Sequence, residues 1–237
     1  MAPLLYSLLR FIQPRTVVEL GAGYTSLFLL QALSDNAAER AALALDVPGT
    51  AWLAADDAPA GPGHLYVVDN CAHEHSTAGA VSAVASTLGL RQLLSFHACD
   101  AFSPDLPSVL PGGPVDLLWI DLGAGPRLTA LIAAWWPRIR ADGGIVAVHS
   151  TLTNEAGRAW LAHMKREAAA AMVVEASALD GEDVTAALAA LPYGCFELLS
   201  LLEPHKRLQN SFTCLRRRGG GASGAALYGE PVFSRFP

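Results

Sequence analysis

Leu5, Leu8, Leu9 and Ile12 recur at helical spacing and Pro14 ends the pattern, so residues 1–14 predict an amphipathic helix leaning on the main body of the domain. Thr16 to Leu20, TVVEL, is a β-branched apolar run, and GAGYTS then leads into the unbroken apolar LFLLQAL: a strand, a glycine turn and a buried helix. The unit repeats more loosely downstream. HLYVVDN at 64–70 predicts a strand, AGAVSAVASTLGL at 78–90 a helix closed near Gly89, and LLSFHACDAF the next strand with its exit loop. VDLLWID at 115–121 reads as a fully buried strand, PRLTALIAAWWPRI as a helix, ADGG as its turn and GIVAVHS as the strand after it. A helix comes next over 155–171, capped by Thr153 or Asn154, whereas 176–192 mixes polar and apolar positions without a clear period. CFELLSLL and SFTCLRRR, separated by EPHKRLQN, are close enough to pair antiparallel. Together these predict an α/β fold: a doubly wound, seven-stranded, mainly parallel sheet with helices on both faces and a C-terminal antiparallel hairpin.

Two stretches interrupt this rhythm. Residues 36–63, rich in Ala, Asp, Gly and Pro, delay the second strand and read as an insertion able to form a flap. From Gly219 the chain turns to GGGASG and reads as a flexible tail over 219–237, leaving 1–218 as one domain. The 237 residues are 52% hydrophobic and 16% charged, which supplies one full core and excludes general disorder. A net charge of -6 gives no basic field to hold phosphate backbones, so a nucleic-acid partner is not expected. Cys71, Cys99, Cys195 and Cys214 form no CxxC pair and read as reduced thiols of a cytoplasmic protein. The N-terminal stretch lacks a basic n-region, and Arg10 interrupts its apolar run, so neither an export signal nor a membrane partner is expected. Trp135 and Trp136 lie in an apolar helical run that suits core packing or a homodimer contact.

The chemistry begins at the first turn. In an open α/β sheet the ligand sits beyond the carboxyl ends of the strands, where Glu19-Leu20-Gly21-Ala22-Gly23 stands here. Gly21 and Gly23 permit a tight turn and a close backbone approach that a larger residue would obstruct. A dinucleotide fingerprint would continue as GxGxxG, but Ser26 occupies the third position and an acid, Glu19, precedes the first glycine by two. An ExGxG turn of this kind resembles the class I S-adenosylmethionine-dependent methyltransferases. The resemblance extends over about residues 1–216, through Asp69 closing the second strand, Asp100 after the third and Asp121 ending the fourth. It implies S-adenosylmethionine as cofactor, with Gly21 and Gly23 along its methionine part and Glu19 contacting or orienting its ammonium. It also implies Asp69 on the ribose hydroxyls and Asp100, Ala101 and Phe102 beside the adenine. Thr25 and Ser26 either donate to the cofactor carboxylate or cap the first helix. Asp69 lies unusually far beyond Gly23, and Asp56 or Asp57 inside the insertion could compete for the ribose, although Asp69 ends the better strand.

Methyl transfer needs an acceptor held on axis and, for an alcohol or ammonium, a base; Asp121 and His149, at the ends of adjacent strands, are the candidates. His149 could instead be a structural partner at a strand end. The layout is also similar to the catechol O-methyltransferase branch, where an acid after the fourth strand and an Asp-Asn pair after the fifth hold a divalent cation. Asp121 fits the first place, but the fifth strand ends His149-Ser150, so no required metal is expected. Cys71, His73 and His75 read as a solvated loop rather than a zinc site, Arg216 to Arg218 as a solvated strand end, and Glu203 to Lys206 as a hairpin loop that could wall the acceptor. The predicted activity is methylation at oxygen or nitrogen of a small metabolite or natural-product intermediate, with a peptide as a further acceptor. Two rivals stay open. One is an NAD-dependent oxidoreductase, disfavoured by Ser26 and by the want of a Tyr-x-x-x-Lys pair; the other is a non-catalytic cofactor-binding scaffold that keeps the fold without turnover.

Overall fold

The computed structural model describes residues 1–46, 61–74, 76–110, 112–179 and 184–218. Five parallel strands carry the sheet: β1 (Thr16–Leu20), β2 (His64–Val68), β3 (Leu94–His97), β4 (Leu117–Ile120) and β5 (Ile145–His149). Then β6 (Phe196–Leu202) and β7 (Ser211–Arg217) form the hairpin, with β7 antiparallel to both β5 and β6. The spatial order is β3-β2-β1-β4-β5-β7-β6. Strand order therefore reverses between β1 and β4, and a crevice opens at their carboxyl ends. The helices are α1 (Ala2–Ile12), α2 (Tyr24–Asp46), α3 (Ala78–Thr87), α4 (Leu106–Val109), α5 (Leu128–Trp135), α6 (Glu155–Leu179) and α7 (Thr185–Ala190).

Alternation along the buried strands divides the core in two. Val18, Leu20, Leu118, Ile120, Val146 and Val148 face Ile132 and Trp135 of α5 and Trp160 and Met164 of α6. Val17, Leu65, Val67, Leu117, Trp119 and Ile145 face Leu5 and Leu9 of α1, Leu29 and Leu33 of α2 and Val81 of α3. Helices thus cover both faces, as predicted. Trp135 and Trp136 are both buried, and Trp136 Nε1 donates to the Tyr193 carbonyl at 3.0 Å. They build the core.

Three expectations need correction. The insertion read over 36–63 begins as regular helix: α2 runs to Asp46, since an alanine-rich stretch favours helix without needing an apolar stripe. Asn36 is fully buried there and donates to the Leu9 carbonyl at 2.9 Å, which locks α1 onto α2. Asp56 and Asp57, like the 219–237 tail, lie outside the described residues. Helix α6 extends beyond 171 to Leu179, starting behind Asn154, whose Oδ1 accepts the Gly157 amide at 2.7 Å. Arg217 is not merely solvated: its guanidinium donates to the carbonyls of Trp136 (3.1 Å) and Ile139 (2.8 Å), tying β7 to the end of α5. Among the described residues, no helix is long and apolar enough to cross a membrane.

Candidate active site

The carboxyl ends of four strands, β1 to β4, are stitched together by backbone bonds. Gly21 N donates to Val68 O (2.9 Å), Asp121 N to Leu20 O (2.8 Å) and Asp69 N to His97 O (3.2 Å). This crowding dictates the first glycine. Gly21 sits at φ 96°, and a Cβ there would lie 2.3 Å from the Asp121 carbonyl oxygen. The glycine is needed to let β1 and β4 leave the sheet side by side, before any ligand is considered.

A cavity of about 770 Å³ opens at this point, lined among others by Gly21, Asp69, His73, Asp121, His149 and Asn154. A smaller one, about 190 Å³, is lined by Asp100, Ala101 and Phe102 together with Gly21 and Asp69. Because both are also walled by Asn70, Leu122 and Gly123, they form one trough along the carboxyl edge. The structure thus brings seven of the predicted residues to it: Gly21, Asp69, Asp100, Ala101, Phe102, Asp121 and His149. Asp69 holds the turn from both oxygens, Oδ2 accepting the Ala22 amide at 2.8 Å and Oδ1 the Cys71 amide at 2.6 Å. Asp100 is exposed and accepts the Phe102 amide at 3.0 Å, and the Arg127 guanidinium lies 3.4 Å over the Phe102 ring.

Four predicted residues stand behind the wall instead. Gly23 is not at the cavity surface; its amide donates to Ser26 Oγ at 3.1 Å. Ser26 is fully buried, and the Thr25 hydroxyl donates to Glu19 Oε1 at 2.6 Å. Thr25 and Ser26 therefore serve the turn and the buried acid. Glu19 is fully buried, with Oε2 lacking a hydrogen-bond partner, so it does not reach the trough. Burial pushes its carboxyl up to about 8, against the hydrogen bonds of Ser26 and Thr25.

Asp121 and His149 are paired side chain to side chain, with Nδ1 to Oδ1 at 2.6 Å. The other ring nitrogen, Nε2, meets the Gln209 carbonyl at 3.1 Å. Burial of the ring opposes its charge, but the Asp121 carboxylate and the Gln209 carbonyl outweigh it, so His149 titrates above its ordinary value. A raised folded value means the protonated ring stabilises the fold. That contribution is complete below about pH 6.5, the unfolded value, and is lost as pH rises through the folded one. Asp121→Asn should therefore cost more stability in urea denaturation at acid pH than at pH well above neutrality, and a difference independent of pH would contradict the pairing.

Gln209 is a participant that sequence reasoning missed. It acts through a backbone carbonyl, which no side-chain pattern encodes; the only signal was the polar loop beginning at Glu203. Gln209, Ser150 and Cys71 all have positive φ (49°, 62° and 55°), an uncommon conformation for such residues that recurs around this trough. His73 lines the larger cavity, Cys71 is exposed, and His75 is outside the described residues.

A doubly wound sheet in this order, with a glycine turn and acids at the strand ends around its switch point, defines a class I S-adenosylmethionine-dependent methyltransferase fold. The chain belongs to the family described as "Methyltransferase domain", whose model matches residues 18–151. Among solved structures it is similar to the O-methyltransferase TomG from Streptomyces achromogenes, involved in tomaymycin synthesis and solved with S-adenosylmethionine. That match has 18% identity and a TM-score of 0.57, covering 92% of this chain and 79% of that one. An O-methyltransferase from Bacillus cereus in complex with S-adenosylhomocysteine matches at 13% identity, TM-score 0.56, over 92% and 80% of the two chains. An rRNA methylase from Streptococcus thermophilus matches at 13% identity, TM-score 0.52, over 91% and 95%. At these identities the likeness is one of fold. No curated protein matches the chain in sequence.

Proposed function

We propose that the protein is a cytoplasmic S-adenosylmethionine-dependent methyltransferase acting on an oxygen or nitrogen of a small metabolite or natural-product intermediate, without nucleic acid as a partner. The observation that carries this reading is the trough itself, which runs from Asp69 and Asp100–Phe102 at one end to the Asp121–His149 pair at the other. The donor set suits the cofactor. Each Asp69 oxygen accepts one backbone amide and keeps lone-pair capacity for a vicinal diol. Asp100, Ala101 and Phe102 offer a partly apolar wall to adenine, and Gly21 leaves backbone where a side chain would stand.

When bound, the cofactor supplies an electrophilic methyl on a positively charged sulfur. The chain supplies position and a proton acceptor. Asp121 fixes Nδ1 of His149, which leaves Nε2 to take a proton from the acceptor once the acceptor displaces the Gln209 carbonyl. Leu122, Leu128 and Val148 present apolar surface around that point and help exclude water. A peptide end is the alternative acceptor, favoured only by the openness of the trough.

S-adenosylhomocysteine release across a panel of phenols, alcohols, amines and peptides tests the proposal. With a competent acceptor, His149→Ala should slow turnover about 10²-fold or more, as expected for loss of a general base. The rate should rise with pH as His149 deprotonates. Turnover should also survive EDTA dialysis, because hard divalent ions want oxygen ligands where β5 ends in His149-Ser150. A rate restored only by Mg²⁺ would turn Asp121 from the partner of a base into a metal ligand.

A further inference from the structure

Among the described residues, Glu19 is the one buried acid that the proposed chemistry leaves unused, yet it is joined to the reacting end of the trough. Its Oε1 meets Thr25 Oγ1 at 2.6 Å, Thr25 Oγ1 meets Asp121 Oδ2 at 3.4 Å, and Asp121 Oδ1 meets His149 Nδ1 at 2.6 Å. Thr25 has a single hydroxyl proton and faces two carboxyl groups. It cannot satisfy both as anions, so the arrangement is balanced when Glu19 is itself protonated. The other surroundings agree. In register on either side, β2 presents Val67 and β4 presents Trp119. The groups acting on Glu19 are the Ser26 and Thr25 hydroxyls from α2, Asp121 from the end of β4 and Asp69 from the end of β2, and both charges are negative. For a fully buried carboxyl with one orphaned oxygen and two anionic neighbours, the hydroxyls of Thr25 and Ser26 are the only support for a charge, and burial outweighs them.

A cation entering the cavity above Gly21 changes that balance. We infer that Glu19 is a positioning residue that gives up its proton when S-adenosylmethionine binds and retains it with the neutral thioether product, so the site discriminates between the two cofactor forms more strongly as pH rises. This rests on the proposed methyltransferase function. The O–H bond of the Glu19 carboxyl breaks, the proton passes to the buffer, and the carboxylate stays behind the wall of the trough, its charge supported across that wall by the cation. After transfer the positive charge is gone, the carboxyl is reprotonated, and the product loses the attraction that held the substrate form. The direction is consistent with a burial-dominated carboxyl titrating near about 8 in the free protein.

Calorimetric titration of the wild-type protein in two buffers of different ionisation enthalpy, with S-adenosylmethionine and S-adenosylhomocysteine in turn, counts the protons released. Each ligand's own α-amino titration, more acidic beside a sulfonium than in the thioether, is measured on the free ligand and subtracted. Release should be greater for S-adenosylmethionine, and its affinity relative to the product should rise between about pH 6 and about pH 9, tenfold for each pKa unit by which the sulfonium favours the carboxylate. Glu19→Gln should remove the excess release and flatten the affinity ratio. Equal release for the two ligands in the wild type overturns the inference even if the variant does not fold, as does an excess that survives in Glu19→Gln. Binding of neither ligand overturns the methyltransferase reading as well, and so is a distinct result.

Discussion

Gly21→Ala is expected to lose cofactor binding and to destabilise the protein by about 3 kcal/mol or more, the sum of a strained left-handed backbone and an overpacked contact. The added Cβ would lie 2.3 Å from the Asp121 carbonyl oxygen, 2.8 Å from its carbon and 3.3 Å from Leu122 Cβ, with φ held at 96°. Neither partner can retreat cheaply. Asp121 N is bonded to Leu20 O and Gly21 N to Val68 O, so moving either segment breaks the stitching that forms the trough. Gly23→Ala is the internal control. Its Cβ would lie 3.3 Å from Thr77 Oγ1, a side chain that can give way, and the cost should stay within about 1 kcal/mol, the range of ordinary mutations. Urea denaturation of both variants with S-adenosylmethionine titration checks this; equal tolerance at the two positions would contradict it.

Asp69→Ala should weaken S-adenosylmethionine binding by about 1.5 to 3 kcal/mol, the range for hydrogen bonds to a charged group. Part of that loss comes from the protein alone, since Ala22 N and Cys71 N lose the oxygens that order the wall of the trough. Asp69→Asn separates the two contributions. The amide still has one oxygen for the loop but no longer presents two acceptors to a diol, so its melting temperature should recover more than its affinity. Full affinity in the asparagine variant would remove the ribose role and leave Asp69 as a loop organiser.

How much of the molecule was legible in its sequence depended on the kind of residue. The buried strands were legible because a strand covered on both faces reads as a continuous apolar run, as in TVVEL and VDLLWID. The second half of α2 was not, since its alanine-rich sequence shows neither an apolar stripe nor a turn residue. At the site, Gly21, Asp69, Asp121 and His149 were legible from their places at strand ends, where α/β sheets bind ligands. Glu19, Thr25 and Ser26 were found in the right segment, with helix capping as the alternative for the last two, but their burial behind the trough depends on side-chain direction, which the sequence does not show. Gln209 could not have been found by type, because its contribution is a carbonyl brought to His149 across 60 positions of sequence.

The most direct measurement is a pair of calorimetric titrations of the wild-type chain, one with S-adenosylmethionine and one with NAD. The trough of Gly21, Asp69 and Asp100–Phe102, with Ser26 in place of a third glycine, predicts saturable one-site binding of S-adenosylmethionine that Asp69→Ala weakens, and no comparable heat with NAD. Saturable binding of NAD with none of S-adenosylmethionine would contradict it.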